Sequence, residues 1–163
     1  MLVDSFRFLP RSFRPLYESP SPPPGEDVAP VWAPVARRLS ASTVTLLTSA
    51  GLYVEGAQAP FDLEGERARP DWGDPSFRLI PASGGELRMA HLHISEVDVE
   101  ADPEICLPRA RLLELASAGM VGGAAASHVS VMGYQERSLA GWRSAVLPGI
   151  LELAPEAVVL APA

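Results

Sequence analysis

Eight of the seventeen prolines fall in the first 34 residues, among them Pro20, Pro22, Pro23 and Pro24. Proline brings no amide donor and fixes its own backbone angle, so this stretch joins no sheet interior and runs in no long helix. Residues 1–40 therefore read as an extended, proline-rich arm. Its apolar beads, Phe6, Phe8, Leu9, Phe13, Leu16, Tyr17, Val31 and Trp32, predict an arm that docks, because a disordered one would carry fewer aromatics. Its own core and a partner chain are both open as the surface it docks on. Residues 41–163 are left for the folded part. A chain of 163 residues and 17.4 kDa is enough for one domain and little for two.

Charge narrows the function classes. Twenty acidic residues against thirteen basic ones give a formal charge of -7, and every basic residue is arginine. That balance argues against a protein holding nucleic acid or anionic lipid over a broad face, while a local arginine cluster can still take an anion. One cysteine, Cys106, excludes an internal disulfide framework and a cysteine-rich zinc site, and fits a reducing compartment. No apolar run reaches the roughly 18 residues of a spanning helix. The start, MLVDSFRFLPRSFRP, mixes Asp and Arg into its apolar residues and lacks a signal-peptide core. The expected location is cytoplasmic.

Pattern then predicts the elements. Thr43-Val44-Thr45-Leu46-Leu47-Thr48, followed by Ser49-Ala50-Gly51, is the signature of a strand buried on both faces, hence of a parallel sheet. Residues 52–75 read as loop. Phe77 to Ile80 is a short strand stopped at Pro81, and Leu87 to Ile94 another, with His91 and His93 on one face. Leu107 to Ala118 is the best helix, Pro108 suiting its first turn and Gly119 its left-handed cap. Its apolar stripe is Leu112, Leu115 and Ala116, with Arg109, Arg111 and Glu114 toward water. A strand or strand-edge turn is expected within Gly119–Ala126. Leu139 to Leu153 keeps helical spacing, broken or restarted at Pro148-Gly149. Ala157-Val158-Val159-Leu160 closes the chain as a buried-type strand. The expected fold class is α/β, a mostly parallel sheet with crossover helices, preceded by the arm. In such sheets chemistry sits just past the carboxyl ends of strands.

Several residues carry candidate chemistry. His91, His93 and His128, with Asp98 or Asp102 as an oxygen ligand, make a weakly specific metal pattern, and local hydrogen bonding is the blander and favoured reading. A metal-dependent hydrolase would use those three histidines. The alternating row Glu96, Asp98, Glu100, Asp102 and Glu104 reads as a solvated loop, since five carboxylates on one extended face repel. Cys106 precedes a helix, where a thiol can be activated, but a free cysteine is more often a small core residue. Thr48 to Gly51 follows a strand without nucleotide-loop glycine spacing. Ser127-His128-Val129-Ser130 sets two hydroxyls beside a histidine without a nucleophile-elbow pattern. Arg67, Arg69, Arg78 and Arg88 are candidates for clamping a carboxylate.

Larger stretches resemble a known family. These are Thr48-Ser49-Ala50-Gly51-Leu52-Tyr53, Pro60-Phe61-Asp62, Gly73-Asp74-Pro75-Ser76-Phe77-Arg78 with Ile80-Pro81, His91-Leu92-His93-Ile94, and Leu107-Pro108 with Arg111-Leu112 and Glu114-Leu115. The strongest is His128-Val129-Ser130-Val131-Met132-Gly133-Tyr134. In order and spacing they resemble selenoprotein B of the glycine, sarcosine and betaine reductases and the selenium-bearing subunit of D-proline reductase, over roughly residues 40–163. The resemblance implies reductive cleavage of a carbon–nitrogen bond next to a carboxylate, with a selenocysteine or cysteine as nucleophile. It implies a partner subunit bearing a pyruvoyl group, a thiol reductant and a small amino-acid substrate. The family's redox motif follows a strand resembling Val158 to Pro162, so a selenocysteine is expected just beyond Ala163 and the chain reads as the front portion of a longer fold. Cys106 does not match the redox cysteine. His91, His93 and His128 are the candidate catalytic residues, and Ser130, Tyr134 and Arg78 the candidate substrate-binding ones. No cofactor is expected within this chain. The rival reading is a non-catalytic scaffold subunit whose arm grips a partner, and self-association is left open.

Overall fold

β1, Thr43–Thr48, is the centre of the sheet, and its run of β-branched and apolar residues is buried on both faces as the pattern predicts. The computed structural model describes residues 33–69, 72–92, 94–132 and 139–162, with the backbone alone for 139–145. Most of the arm, and with it His93 and Tyr134, lies outside the described residues. The chain divides between Pro34 and Val35, and Val35–Ala163 forms one unit.

On one edge of β1 runs β7, Ala157–Ala161, parallel, from Val44 against Ala157 to Thr48 against Ala161. The other edge carries β5, Gly123–Ala124, and β6, Ser127–Val131, both parallel to β1. β3, Phe77–Pro81, pairs antiparallel with β6. The sheet is thus mostly parallel with one reversed strand. A second sheet of two antiparallel strands, β2 (Leu52–Val54) and β4 (Leu87–Met89), lies beside it. The fold is mixed α/β.

Four helices accompany these strands among the described residues: α1 (Leu63–Ala68), α2 (Glu96–Ala101), α3 (Arg109–Ser117) and α4 (Leu139–Glu152). α4 joins the parallel strands β6 and β7, so it is a crossover helix. One face of the sheet packs Val44, Leu46 and Ile80 against Leu52, Leu87, Met89, Val99, Leu107 and Leu112. The opposite face packs Val129, Val131, Leu47, Phe77 and Leu79 against Val146, Ile150 and Leu153 of and just after α4.

Several expectations are corrected. Residues 52–75 are not all loop. Gly51 turns the chain into β2 at φ +65°, where a Cβ would stand 2.2 Å from the Ala90 carbonyl oxygen. Further on, the Asp62 carboxylate accepts from Gly65 N–H at 2.8 Å and caps α1. The strand expected over 87–94 ends at Met89, so His91 sits in irregular chain rather than on a strand face. The alternating carboxylates enter α2 and a 3-10 turn at Pro103–Ile105, because Val99 finds a core position that a helix reaches. Arg109, read as facing water, is 9% exposed, while Leu115 is 40% exposed.

α4 runs through Pro148 without a break. Pro148 is on the exposed side, and Gly149 is buried where a Cβ would meet the Phe77 ring at 2.4 Å. The Pro-Gly pair therefore marks a close helix–strand contact. β7, expected to be buried, leaves Val158, Val159 and Leu160 exposed at 38%, 49% and 68%. Among the described residues it pairs with β1 alone, and α4 packs toward β3 and β6 rather than over β7.

Candidate functional site

The register of β1 against its neighbour changes by two residues partway along. Val44 faces Ala124, and the next recorded pair is Leu47 with Val129. Thr45 and Leu46 thus stand against Ala125, Ala126, Ser127 and His128. Such a bulge leaves ladder groups without their usual backbone partners. A shifted backbone bond and two side chains answer for them. Ala125 N–H donates to Val44 O at 2.9 Å, and Thr45 Oγ1 donates to Ser127 O at 2.9 Å. Leu46 N–H points at His128 Nδ1, 3.3 Å away. The histidine ring takes the place of a missing carbonyl.

This bond assigns the imidazole. Nδ1 accepts from Leu46 N–H, so the ring proton belongs on Nε2. His128 is closed off from solvent. Burial, and then the positive charge of Arg109, push its pKa down to about 4. At neutral pH it is an uncharged Nε2–H donor.

Strand alternation puts His128 and Ser130 on one face of β6 and Val129 and Val131 on the other. Ser130 is paired with Thr48 of β1 and with Arg78 of β3, so these three form a polar row at the carboxyl ends of β1 and β6. Thr48 and Ser130 have no exposed surface. Thr48 Oγ1 accepts from Ala50 N–H at 3.2 Å. His128 Nε2 and Ser130 Oγ have no hydrogen-bond partner among the described residues. A buried polar atom without a partner costs about 1–3 kcal/mol, so two on one face are unusual in a core.

Above this row, segments distant in the chain meet. Ala50 bridges to Met132, and Gly51 N–H donates to Val131 O at 2.9 Å. Phe61, Ala90 and Met132 form a small apolar cluster with Tyr53 and Leu63. Asp74 ties two loops together, accepting from Ser76 N–H at 2.9 Å and from Asp62 N–H at 3.0 Å. Burial raises its pKa, but the Ser76 and Asp62 hydrogen bonds and the charge of Arg78 outweigh that and hold it below the ordinary carboxylate value. Arg78 donates to Ala59 O, Pro60 O, Phe77 O and Ser76 Oγ, and stacks its guanidinium 4.2 Å from the Phe61 ring centroid.

Of the sequence candidates, the structure brings His128, Ser130 and Arg78 to one face. It places His91 outside any strand, and His93 and Tyr134 fall outside the described residues. Arg78 is engaged with loop carbonyls. Among the described residues no group of three or more His, Cys, Asp or Glu side chains could hold a metal ion. Cys106 is buried, which raises its thiol pKa and keeps it unreactive. Asp74, Gly51 and Met132 are not among the residues that the sequence marks as a candidate site. Their signal was present, because each lies in a stretch that carried the family resemblance.

Comparison with known proteins adds to this geometry. The chain is 33% identical over 106 residues to D-proline reductase subunit gamma of Acetoanaerobium sticklandii. The matched stretch is 64% of this chain and 40% of that protein. The chain therefore spans about two fifths of the length of the curated relative it matches. The match supports a relation to the D-proline reductase family. No protein-family model matches, and no solved structure matches significantly. No helix among the described residues is long and apolar enough to cross a membrane.

Proposed function

We propose that the chain is part of a reductase of the D-proline reductase kind and forms the substrate-holding side of its site. The observation that carries this reading is Ser130. Its hydroxyl is buried and unpartnered at the carboxyl end of β6, where open α/β sheets place ligands, in a chain similar to a D-proline reductase subunit.

The reaction class is reductive cleavage of a carbon–nitrogen bond beside a carboxylate. The bond breaks, carbon and nitrogen each gain a hydrogen, and a dithiol is oxidised to a disulfide, so two electrons and two protons balance. A selenol or thiol nucleophile from outside residues 1–163, and a pyruvoyl group on a partner subunit, would supply the covalent chemistry. Cys106 does not fit that role, being buried with a raised pKa.

Two buried polar atoms without partners on one face, His128 Nε2 and Ser130 Oγ, support a role in holding a small amino acid. Ser130 offers a hydroxyl to a substrate oxygen. Neutral His128 offers an Nε2–H donor to a substrate oxygen without adding charge of its own.

The test is a reaction in the assembled complex. The chain is produced with its cognate partner subunits and supplied with a dithiol, and consumption of D-proline, glycine, sarcosine and betaine is followed by NMR. Consumption of one of these, lowered about tenfold or more by Ser130→Ala through loss of a hydrogen bond, is expected. A complex that consumes none of them, or that works equally well without this chain, overturns the reading.

A further inference from the structure

Arg78 stands opposite Ser130 in the antiparallel pairing of β3 with β6, so the two side chains leave the sheet on one face as cross-strand neighbours. The guanidinium is held from several sides. Nε donates to Ala59 O at 2.8 Å and Nη2 to Pro60 O at 3.1 Å, so its planar fork takes two successive carbonyls of one loop. Nη1 donates to Phe77 O at 3.0 Å and to Ser76 Oγ at 2.8 Å. Four of the five N–H groups of a guanidinium are thus used, and among the described residues one on Nη2 has no partner.

The Ser76 bond leads on to Asp74. Ser76 Oγ accepts from Arg78 and gives its own proton to Asp74 Oδ1 at 2.5 Å. The same oxygen accepts from Ser76 N–H at 2.9 Å, and Oδ2 accepts from Asp62 N–H at 3.0 Å. Asp74 N–H in turn donates to Met132 Sδ at 3.2 Å, two residues beyond Ser130. One half-buried aspartate therefore joins the 59–62 loop, the run into β3 and the end of β6. Only a carboxylate serves all of the side chain's donors, because both of its oxygens accept. Asparagine would turn an NH2 group toward Ser76 or toward Asp62 N–H. An anion at one end and a cation at the other make the chain Asp74–Ser76–Arg78 firmer than neutral bonds would.

We propose that Asp74 is a positioning residue for the Ser130 site: through Ser76 it fixes the plane of the Arg78 guanidinium, and through Met132 the end of β6, so that Arg78 and Ser130 meet a ligand in one set geometry. The inference rests on the substrate-holding role proposed above. Asp74 acts through Arg78 and Ser130 and need not touch the substrate. A guanidinium that swings freely has to be ordered by the ligand, and that cost is subtracted from affinity. The effect is the same in the ground state and the transition state, so it falls on KM rather than on kcat.

The experiment pairs turnover with a signal that needs none. In the assembled complex with a dithiol, Asp74→Asn and Ser76→Ala are each expected to raise KM about fivefold to tenfold, with kcat within about twofold. The double variant is expected to be no worse than either single one, since both cut one chain, whereas independent structural losses would multiply. In the isotope-labelled full chain the Arg78 Nε–H resonance is identified by its loss in Arg78→Lys. It is expected to exchange with solvent about tenfold faster in both variants than in the parent, with circular dichroism unchanged. Ser76→Ala carries the test alone if Asp74→Asn does not fold. An active complex in which kcat falls at constant KM, or in which the two losses multiply, overturns the inference. So does an Nε–H exchange rate that neither variant alters. A parent complex that consumes no substrate overturns the reductase reading and this inference with it, and shows that before any variant is made.

Discussion

Acid should destabilise this protein through His128 before most of its carboxylates are protonated. In the folded chain Nδ1 faces Leu46 N–H, so a proton added there would point at another proton. Burial and the Arg109 charge act in the same direction and bring the folded pKa to about 4, from an ordinary 6.5. The unfolded chain thus binds this proton more readily than the folded one. Stability from His128 is complete above about pH 6.5 and is lost as pH falls from there toward 4. Each pKa unit is worth about 1.4 kcal/mol, and allowing for partial solvent screening the loss is about 2–3 kcal/mol. That is a large share of a small domain's stability. Urea unfolding at pH 7.5 and at pH 4.5 measures it, with His128→Gln as the non-titrating comparator. The variant is expected to be about 1–3 kcal/mol less stable at pH 7.5, since Leu46 N–H loses its positioned acceptor, and to show a flatter pH dependence. NMR titration of the imidazole gives the same quantity directly. A His128 pKa at or above 6, or equal pH dependence in the two proteins, would refute the reasoning.

Three further outcomes follow from single contacts. Gly51→Ala should cost about 2 kcal/mol or more, because a left-handed φ and a Cβ 2.2 Å from the Ala90 carbonyl oxygen leave no relaxed position, and a denaturation midpoint near that of the parent would contradict it. Cys106 should react with an aromatic disulfide reagent at pH 8 only as fast as the protein opens, since its thiol is buried and its pKa raised; free-thiol rates in the native protein would show the packing to be wrong. Leu160→Lys should change stability by less than about 0.5 kcal/mol while raising solubility, because that side chain is 68% exposed on an edge strand, and a large loss in thermal unfolding would mean that β7 is covered.

Local pattern was sufficient for part of this architecture. The run Thr43 to Thr48 has no charged residue, so only a strand covered on both sides accommodates it, and β1 is that strand. The helix read over Leu107–Ala118 appears as α3, with Gly119 at φ +70° where a left-handed cap was expected. Those readings succeed because a period or a cap is settled by residues a few positions apart. Their failures share the opposite cause. Arg109 reads as a surface residue on its own helix, and becomes buried only because the carbonyls of Pro81 and Gly84 arrive from more than twenty residues away. Ala157 to Leu160 reads as core, yet its exposure depends on where α4 packs, and α4 leans toward Phe77 through Gly149.

The polar row shows the same division. That His128 and Ser130 share a face is fixed by strand alternation, and could be stated from the order of residues alone. That His128 is a neutral acceptor inside a bulge could not, because the bulge exists only as a mismatch between two strands that lie about eighty residues apart. Local propensity and alternation decide which side chains travel together along one strand. Register, burial and charge state are decided by what the distant chain brings alongside.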